Sequence, residues 1–354
     1  MRRNSLHKKP TISDIAQLAG VSTATVSLVL NEKGNISTAT RESVLSIARK
    51  LGYTPVNRSS TEDRSKVFAL IIEELPIPLY SDPFCSQIVA GMEEEARNVG
   101  YGMLLVTVPK VNGSFAVPDN LRQLQPNGMI ILGGGDLVDS LVHDIIHLGF
   151  PAVIVDNYLS ACEENLVCVV ADNFHAGYLA TEHLIKCGKQ NIAIIKGSDK
   201  YKPLKERFYG YLAALTDSGY AIRPEYICEK RSHGSHKGCL ETEYLLSLPH
   251  RPDAILCISD KVAFNALDVA ANMGVKVPQD VSIIGIDNLL EGTKTTPPLT
   301  TVNIPKKEMG QTAVRVLLSL VENKEAPWGK LCLPVELVVR DSVLPSSGLR
   351  IQEP

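Results

Sequence analysis

Two periodicities divide the chain. Between residues 11 and 51, apolar positions recur at helical spacing. Ile12, Ile15, Ala16 and Ala19 fall at i, i+3, i+4 and i+7; Val26, Val29 and Leu30 make a second stripe; Val44, Ile47, Ala48 and Leu51 make a third. Thr11 followed by Asp14 has the form of a capping box and predicts where the first helix starts. Gly20 breaks the first pattern, Ser22 is placed to cap a second helix, and Ser37 a third. Two short helices around a glycine turn, closed by a third, predict a small helix-turn-helix head.

From Val67 the pattern changes to continuous apolar runs of strand length separated by amphipathic stretches. "VFALIIE", "YGMLLVTV", "GMIILGG" and "PAVIVDN" predict one series of buried strands, with helices over "CSQIVAGMEEEARNVG" and "GDLVDSLVHDIIHLG". "VCVVADN", "NIAIIKG", "DAILCIS" and "VSIIGIDN" predict a second series, with helices over "AGYLATEHLIKCG", "KERFYGYLAALTDSG" and "KVAFNALDVAANMG". Such alternation means parallel sheets covered on both faces. The expected fold is therefore a small all-α head on an α/β body of two doubly wound parallel-sheet lobes. The expected boundaries are 1–57 for the head, 58–66 for a linker or hinge, 67–342 for the body and 343–354 for a tail. Doubly wound sheets bind ligands at the carboxyl ends of their strands, so the cleft between the lobes is the expected small-molecule site.

Charge changes this picture more than composition does. With 354 residues, 44% hydrophobic and 21% charged, the chain is long and apolar enough for such cores, and its net charge is −3. Residues 1–66, however, carry eleven Lys/Arg against five Asp/Glu, about +6, which leaves about −9 on the rest. A basic head on an acidic body implies a polyanion partner at one end. The predicted outward face of the second helix, Thr23, Ala24, Thr25, Ser27 and Leu28, is slim and uncharged, so it can enter a DNA major groove without desolvating charge. Serine and threonine can bond phosphates and Ala24 can touch a thymine methyl, while Lys8, Lys9, Arg41, Arg49 and Lys50 add sequence-independent attraction. The alternative is a small helical bundle used for protein contacts.

The head resembles the DNA-binding domain of the lactose-repressor (LacI/GalR) family of bacterial transcription regulators. "TISDIAQLAGVSTATVSLVLN" and "ISTATRESVLSIARKLGYTP" carry its T-I-x-D start, A-G-V-S turn, T-V-S in the second helix and L-G-Y-x-P end. The resemblance implies that Thr23, Ala24 and Leu28 read bases and that Thr25, Ser27 and Asn31 hold the backbone; Thr11 and Ser22 complete the expected DNA-binding set. The body is similar to the periplasmic-binding-protein-type sensor of the same family, through "DPFCSQIVAGMEEEARNVGY", "VVADNFHAGYLATEHLIKCG", "ERFYGYLAAL", "PPLTTVNIPKKEMGQTAVRVLL" and "LPVELVVRDS". This likeness implies three crossings between lobes, a final helix near 305–322 that rejoins the first lobe, and last strands in the second.

By the same resemblance the ligand-binding positions are Phe84, Cys85, Asp156, Asn157, Arg207, Ser259 and Asp287. Arg207 offers five donors and Asp287 up to four acceptor sites, which suits a hydroxyl-rich ligand such as a sugar. The competing readings are a structural salt bridge of Arg207 with Asp287 across the lobes, and Phe84 as ordinary core. Tyr201 and Lys202 are placed to line the mouth. The implied protein is a cytoplasmic homodimer that binds a near-palindromic double-stranded operator, acts as a repressor and takes a sugar-like effector. The alternative is a sugar-binding transport receptor without DNA function.

Other features argue against further chemistry. Eight cysteines lack any C-x-x-C pair, and several sit in apolar runs, so they read as buried reduced thiols. No apolar stretch has the length of a membrane span or of a signal-peptide core. "GGGD" at 133–136 lacks nucleotide-loop spacing, His143/His147 and His233/His236 lack metal-site context, and Ser259-Asp260 has no G-x-S-x-G elbow. No catalytic residue, metal or cofactor is expected. The tail lacks leucine heptads, which favours a dimer without a further helical seam.

Two departures from the family pattern matter. Leu28 stands where relatives commonly carry Arg or His, so readout shifts toward methyl contacts and DNA shape. Relatives follow Y-x-P with a hinge of A-R-x-L type whose leucine wedges into the minor groove, whereas this chain has Ser59 and Glu62 at the alanine and leucine positions. A carboxylate there is repelled by phosphate. Glu62→Leu is accordingly expected to tighten binding to a selected operator duplex in an anisotropy titration; unchanged affinity would mean that this segment does not reach the groove.

Overall fold

A computed structural model describes residues 12–30, 36–50, 66–74, 79–109, 115, 121, 124–133, 142, 145, 149–158, 166–229, 236–322 and 329–345. Thr11, Asn31, most of the linker and the end of the tail lie outside the described residues. The chain divides into two compact units, Met1–Ser65 and Lys66–Pro354.

The head contains α1 (Ile12–Ala19), α2 (Thr23–Leu30) and α3 (Thr38–Lys50). Gly20 adopts φ +64, and the Val21 amide donates to the Ala16 carbonyl at 3.1 Å, closing α1 with a left-handed cap that a side chain would strain. Ser22 accepts from the Thr25 amide at 3.0 Å and Ser37 from the Thr40 amide at 3.2 Å, so both predicted caps form. Ile15, Ala16, Val26, Val29, Val44 and Ala48 are buried together as the head's core. Thr23 and Leu28 are exposed on α2, as expected. Thr25 does not face fully outward: it is half-buried, and its hydroxyl lies 2.9 Å from that of Ser22.

In the body, β1 (Val67–Glu73), α4 (Pro83–Asn98), β2 (Gly102–Val108), β3 (Gly128–Leu132), β4 (Ala152–Val155) and β5 (Val167–Ala171) build the first lobe. The second contains α5 (Asn173–Lys186), β6 (Ile192–Lys196), α6 (Lys202–Asp217), β7 (Ile227–Glu229), α7 (Cys239–Leu246), β8 (Ala254–Cys257), α8 (Asp260–Asn272), β9 (Ser282–Asp287) and β10 (Thr300–Asn303). The chain then returns through α9 (Lys306–Val321) and β11 (Gly329–Leu333), and ends in β12 (Glu336–Val338). The six-stranded sheets run β11-β5-β4-β3-β1-β2 and β12-β10-β9-β8-β6-β7. The first is parallel throughout; in the second only the edge strand β12 is antiparallel. β3, β5, β6 and β8 are buried along their whole length, which is why they read as unbroken apolar runs.

The chain crosses between sheets three times, at Asp172, at 304–305 and at 334–335, and α9 packs on the first lobe. The expectation that the last strands both join the second lobe is corrected: β11 pairs with β5, placing Leu331 opposite Val169, and only β12 joins the second sheet. β7 and α7 carry too short a pattern to be predicted. Cys168, Cys187, Cys228 and Cys257 are buried and Cys85 and Cys239 half-buried, but Cys332 is exposed, so the thiols are not all core residues.

Each lobe is fastened by a helix pair crossing at glycines. Gly91 of α4 lies against the backbone of Lys307 in α9, and Gly177 of α5 lies directly on the carbonyl of Arg207 in α6. The second crossing fixes the depth of the helix that carries Arg207. Adding a methyl at Gly177 forces α5 and α6 apart, and overpacking of this kind costs about 1–3 kcal/mol. Gly177→Ala should therefore lower the melting temperature by about 2–4 °C per kcal/mol in a calorimetric scan, and an unchanged melting temperature would deny the close crossing.

Candidate functional site

The carboxyl ends of the parallel strands in both lobes face one cavity of about 300 Å³, room for about ten waters at their liquid volume. All seven positions expected to bind ligand, Phe84, Cys85, Asp156, Asn157, Arg207, Ser259 and Asp287, line it. Tyr201 lines it too; Lys202 instead begins α6 and donates to the Tyr158 carbonyl at 2.6 Å, bridging the lobes.

Arg207 is the anchor. Its side chain is 3% exposed; Nε donates to Asn173 Oδ1 at 2.9 Å and Nη1 to the Ile258 carbonyl at 2.8 Å, while Nη1 lies 3.0 Å from Asp287 Oδ1. The ion pair therefore exists, but the expectation that it spans the lobes is corrected, since α6 and β9 belong to the same lobe. No donor is aligned on Asp287 Oδ1, which is buried without a hydrogen bond among the described residues. Lys306, at the second crossing, donates to the backbone carbonyls of Asp287 and Ile304, and burial pushes its ammonium pKa down. Asp260 accepts from Thr301 Oγ1 at 2.6 Å and from the Leu289 amide at 2.8 Å, pinning the turn after β9.

Asp156 enters from the other lobe at the end of β4. Burial, opposed by Arg207 and reinforced by the negative Asp287, raises its carboxyl to about 7. The same burial raises Asp287. Asp156 (φ 60), Asp287 (φ 136) and Asn288 (φ 53) all hold positive φ without being glycine, a concentration of backbone strain at the cavity. Asn157 is spent on structure: its Nδ2 donates to the Gly133 carbonyl at 3.3 Å and its Oδ1 accepts from the Tyr158 amide. Phe84 both lines the cavity and packs on the core, with the Lys306 ammonium 5.9 Å from its ring. Burial together with Asp82 and Asp156 pushes the Cys85 thiol up to about 12, so it is a neutral group.

Several site residues escaped the sequence reading. Asp82 caps α4 by accepting from the Phe84 and Cys85 amides, and its other oxygen meets Lys261 of the opposite lobe at 2.6 Å. Tyr158 donates to Glu206 at 2.9 Å across the cleft, and Lys330 meets the same carboxylate at 2.6 Å. "SDP" before a helix marks Asp82 as a cap; nothing local marks its partner.

With this geometry in place, residues 11–56 match the family described as bacterial regulatory proteins, lacI family, and residues 181–343 match the periplasmic binding protein-like domain. The ribose operon repressor of Haemophilus influenzae is 32% identical over 94% of this chain and 98% of its own. The chain belongs to the LacI family. Among solved structures, this LacI-family regulator resembles a transcriptional regulator CelR–cellobiose complex (TM-score 0.70, 30% identity, 94% and 99% of the two chains). It also resembles the lac repressor dimer bound to operator and the anti-inducer ONPF (TM-score 0.67, 27% identity, 95% and 100%). The relatives are transcriptional regulators, and among the described residues no helix is long and apolar enough to cross a membrane.

The raised Asp156 pKa fixes the sign of a pH effect. A carboxyl titrating near 7 in the fold and near 3.8 in the ordinary state binds its proton more tightly when folded, so it favours folding below about 4 and loses that contribution as pH rises toward 7. Asp156→Asn should raise the melting temperature at pH 8 by at least ~2 °C, with the gain vanishing near pH 4. Equal melting temperatures at pH 8 would mean that Asp156 is not penalised by its surroundings.

Proposed function

We propose that this LacI-family regulator is a cytoplasmic homodimeric repressor. Two heads bind the halves of a near-palindromic operator, and a small hydroxyl-rich effector binds in the inter-lobe cleft. The observation that carries the effector half is the convergence of Arg207, Asp287, Asp156 and Ser259 on one cavity at the strand ends of both lobes. Charged forks and carboxylates in one pocket recognise hydroxyls directionally. Cellobiose in the CelR structure and ribose in the name of the Haemophilus relative are consistent with such a ligand.

For the head, exposed Thr23 and Leu28 on α2 are the expected base-facing residues, and Thr11, Ser22, Ala24, Thr25, Ser27 and Asn31 complete the DNA-binding set. Leu28 presents methyl groups where a hydrogen-bond donor would read guanine, so the half-site should carry a T·A pair opposite it. One three-helix head reads only a few base pairs, and dimer symmetry doubles them. An effector that favours one arrangement of the lobes shifts the DNA-bound population by its differential affinity. No catalytic step is assigned to the cleft. A transport receptor would have no use for the capped, basic head.

The test is selection of bound sites from a random duplex library by the full-length chain at moderate salt. A two-fold symmetric site should be enriched, and Leu28→Arg should redirect one position of each half-site toward G·C at a cost of about 1–3 kcal/mol for the original base pair. Binding without sequence preference would contradict the regulator reading.

A further inference from the structure

Charge around the cavity is unevenly disposed. Among the described residues four carboxylates line it, Glu73, Asp82, Asp156 and Asp287, against two cations, Arg207 and Lys261. Each cation is already paired with a carboxylate. Arg207 lies 3.0 Å from Asp287 and has Nε and Nη1 engaged by Asn173 and the Ile258 carbonyl. Lys261 lies 2.6 Å from Asp82 across the cleft, and both side chains are largely buried, at 33% and 21% exposure. Lys306, the next cation inward, is turned onto backbone carbonyls.

Acceptors are in the opposite condition. Asp287 Oδ1 is more than nine-tenths buried, borders the cavity and receives no hydrogen bond among the described residues. Asp156 faces it from the other lobe, and none of the described residues donates a hydrogen bond to its carboxylate. Each carboxylate is carried by a residue with a positive φ that few non-glycine residues adopt. A buried carboxylate whose acceptor sites are not all filled by aligned donors costs free energy that a ligand can recover by supplying them.

We propose that the cleft selects an uncharged polyhydroxyl molecule and rejects its phosphate esters, with the Asp82–Lys261 pair across the rim as the specificity determinant. Hydroxyl groups donate to Asp156 and Asp287 and accept from Arg207 Nη2 and Ser259. Above about pH 7, where Asp156 is ionised, a phosphate brings more acceptors and a negative charge into a lining that is already carboxylate-rich, and among the described lining residues both cations are already paired with carboxylates. Asp82→Asn isolates the effect: Oδ1 can still cap α4, asparagine being as good a cap as aspartate, while Lys261 loses its counter-charge and becomes available to an anion.

This inference rests on the small-molecule reading of the cleft and is tested on the full-length chain by thermal shift, then calorimetric titration. The probes are matched pairs: D-ribose, D-glucose, cellobiose and adenosine, each against its monophosphate. For whichever pair binds, the uncharged member should be at least about tenfold tighter. Asp82→Asn should narrow that gap at least about threefold and Lys261→Gln should not narrow it, with both variants checked for cooperative melting. A phosphate ester that binds as tightly as its parent overturns the proposal and leaves the effector reading standing, as does a gap that Asp82→Asn leaves unchanged. Binding by neither member of any pair contradicts the polyhydroxyl reading on which it depends.

Discussion

The buried guanidinium of Arg207 is the constraint on which the cleft depends. A charge 3% exposed is tolerable only when it is paired and hydrogen-bonded, and here the partners come from three separate segments: Asn173 at the first crossing, the Ile258 carbonyl at the end of β8, and Asp287 at the end of β9. Its helix is held at the required depth because Gly177 lets α5 sit directly on the Arg207 backbone. The fold thus fixes one cation at the strand ends and leaves its surroundings short of donors.

That shortage is distributed across both lobes. Asp287 is tied to the lobe of Arg207, whereas Asp156 belongs to the other, so a ligand that satisfies both connects two bodies joined by three strands of chain. Around the cavity the lobes already meet through Asp82–Lys261, Tyr158–Glu206, Lys330–Glu206 and Lys202 on the Tyr158 carbonyl. These contacts are partly exposed and individually modest, so the equilibrium between lobe arrangements lies within reach of one ligand's differential binding. Three of the four non-glycine residues with positive φ among the described residues, Asp156, Asp287 and Asn288, lie at or beside the cavity, as expected of a site that trades stability for readiness.

Much of this was legible in the sequence, for reasons specific to each element. Strands buried on both faces, such as Gly128–Leu132, announce themselves as unbroken apolar runs, and the caps at Ser22 and Ser37 rest on local hydrogen bonds that a dozen residues contain. The ligand positions came from family likeness, because no local pattern joins Asp156 to Arg207. β11 was misplaced because its half-exposed "GKLCL" carries little burial pattern and its partner β5 lies more than a hundred residues earlier. The lobe assignment of the Arg207–Asp287 pair and the Asp82–Lys261 bridge are tertiary facts, set by crossings that residue spacing does not encode. The apolar Leu28 was the reverse case: its outward position follows from the buried Val26 and Val29 beside it.

The cleft's want of donors to its carboxylates is tested most directly at Asp156. Carboxyl-carbon NMR of the full-length chain labelled at aspartate, with Asp156→Asn to assign the resonance, follows its titration in the absence of any added small molecule. A midpoint near 7 is predicted from its burial and from the facing Asp287. A midpoint near 4 would show Asp156 solvated or already satisfied, and would contradict the account.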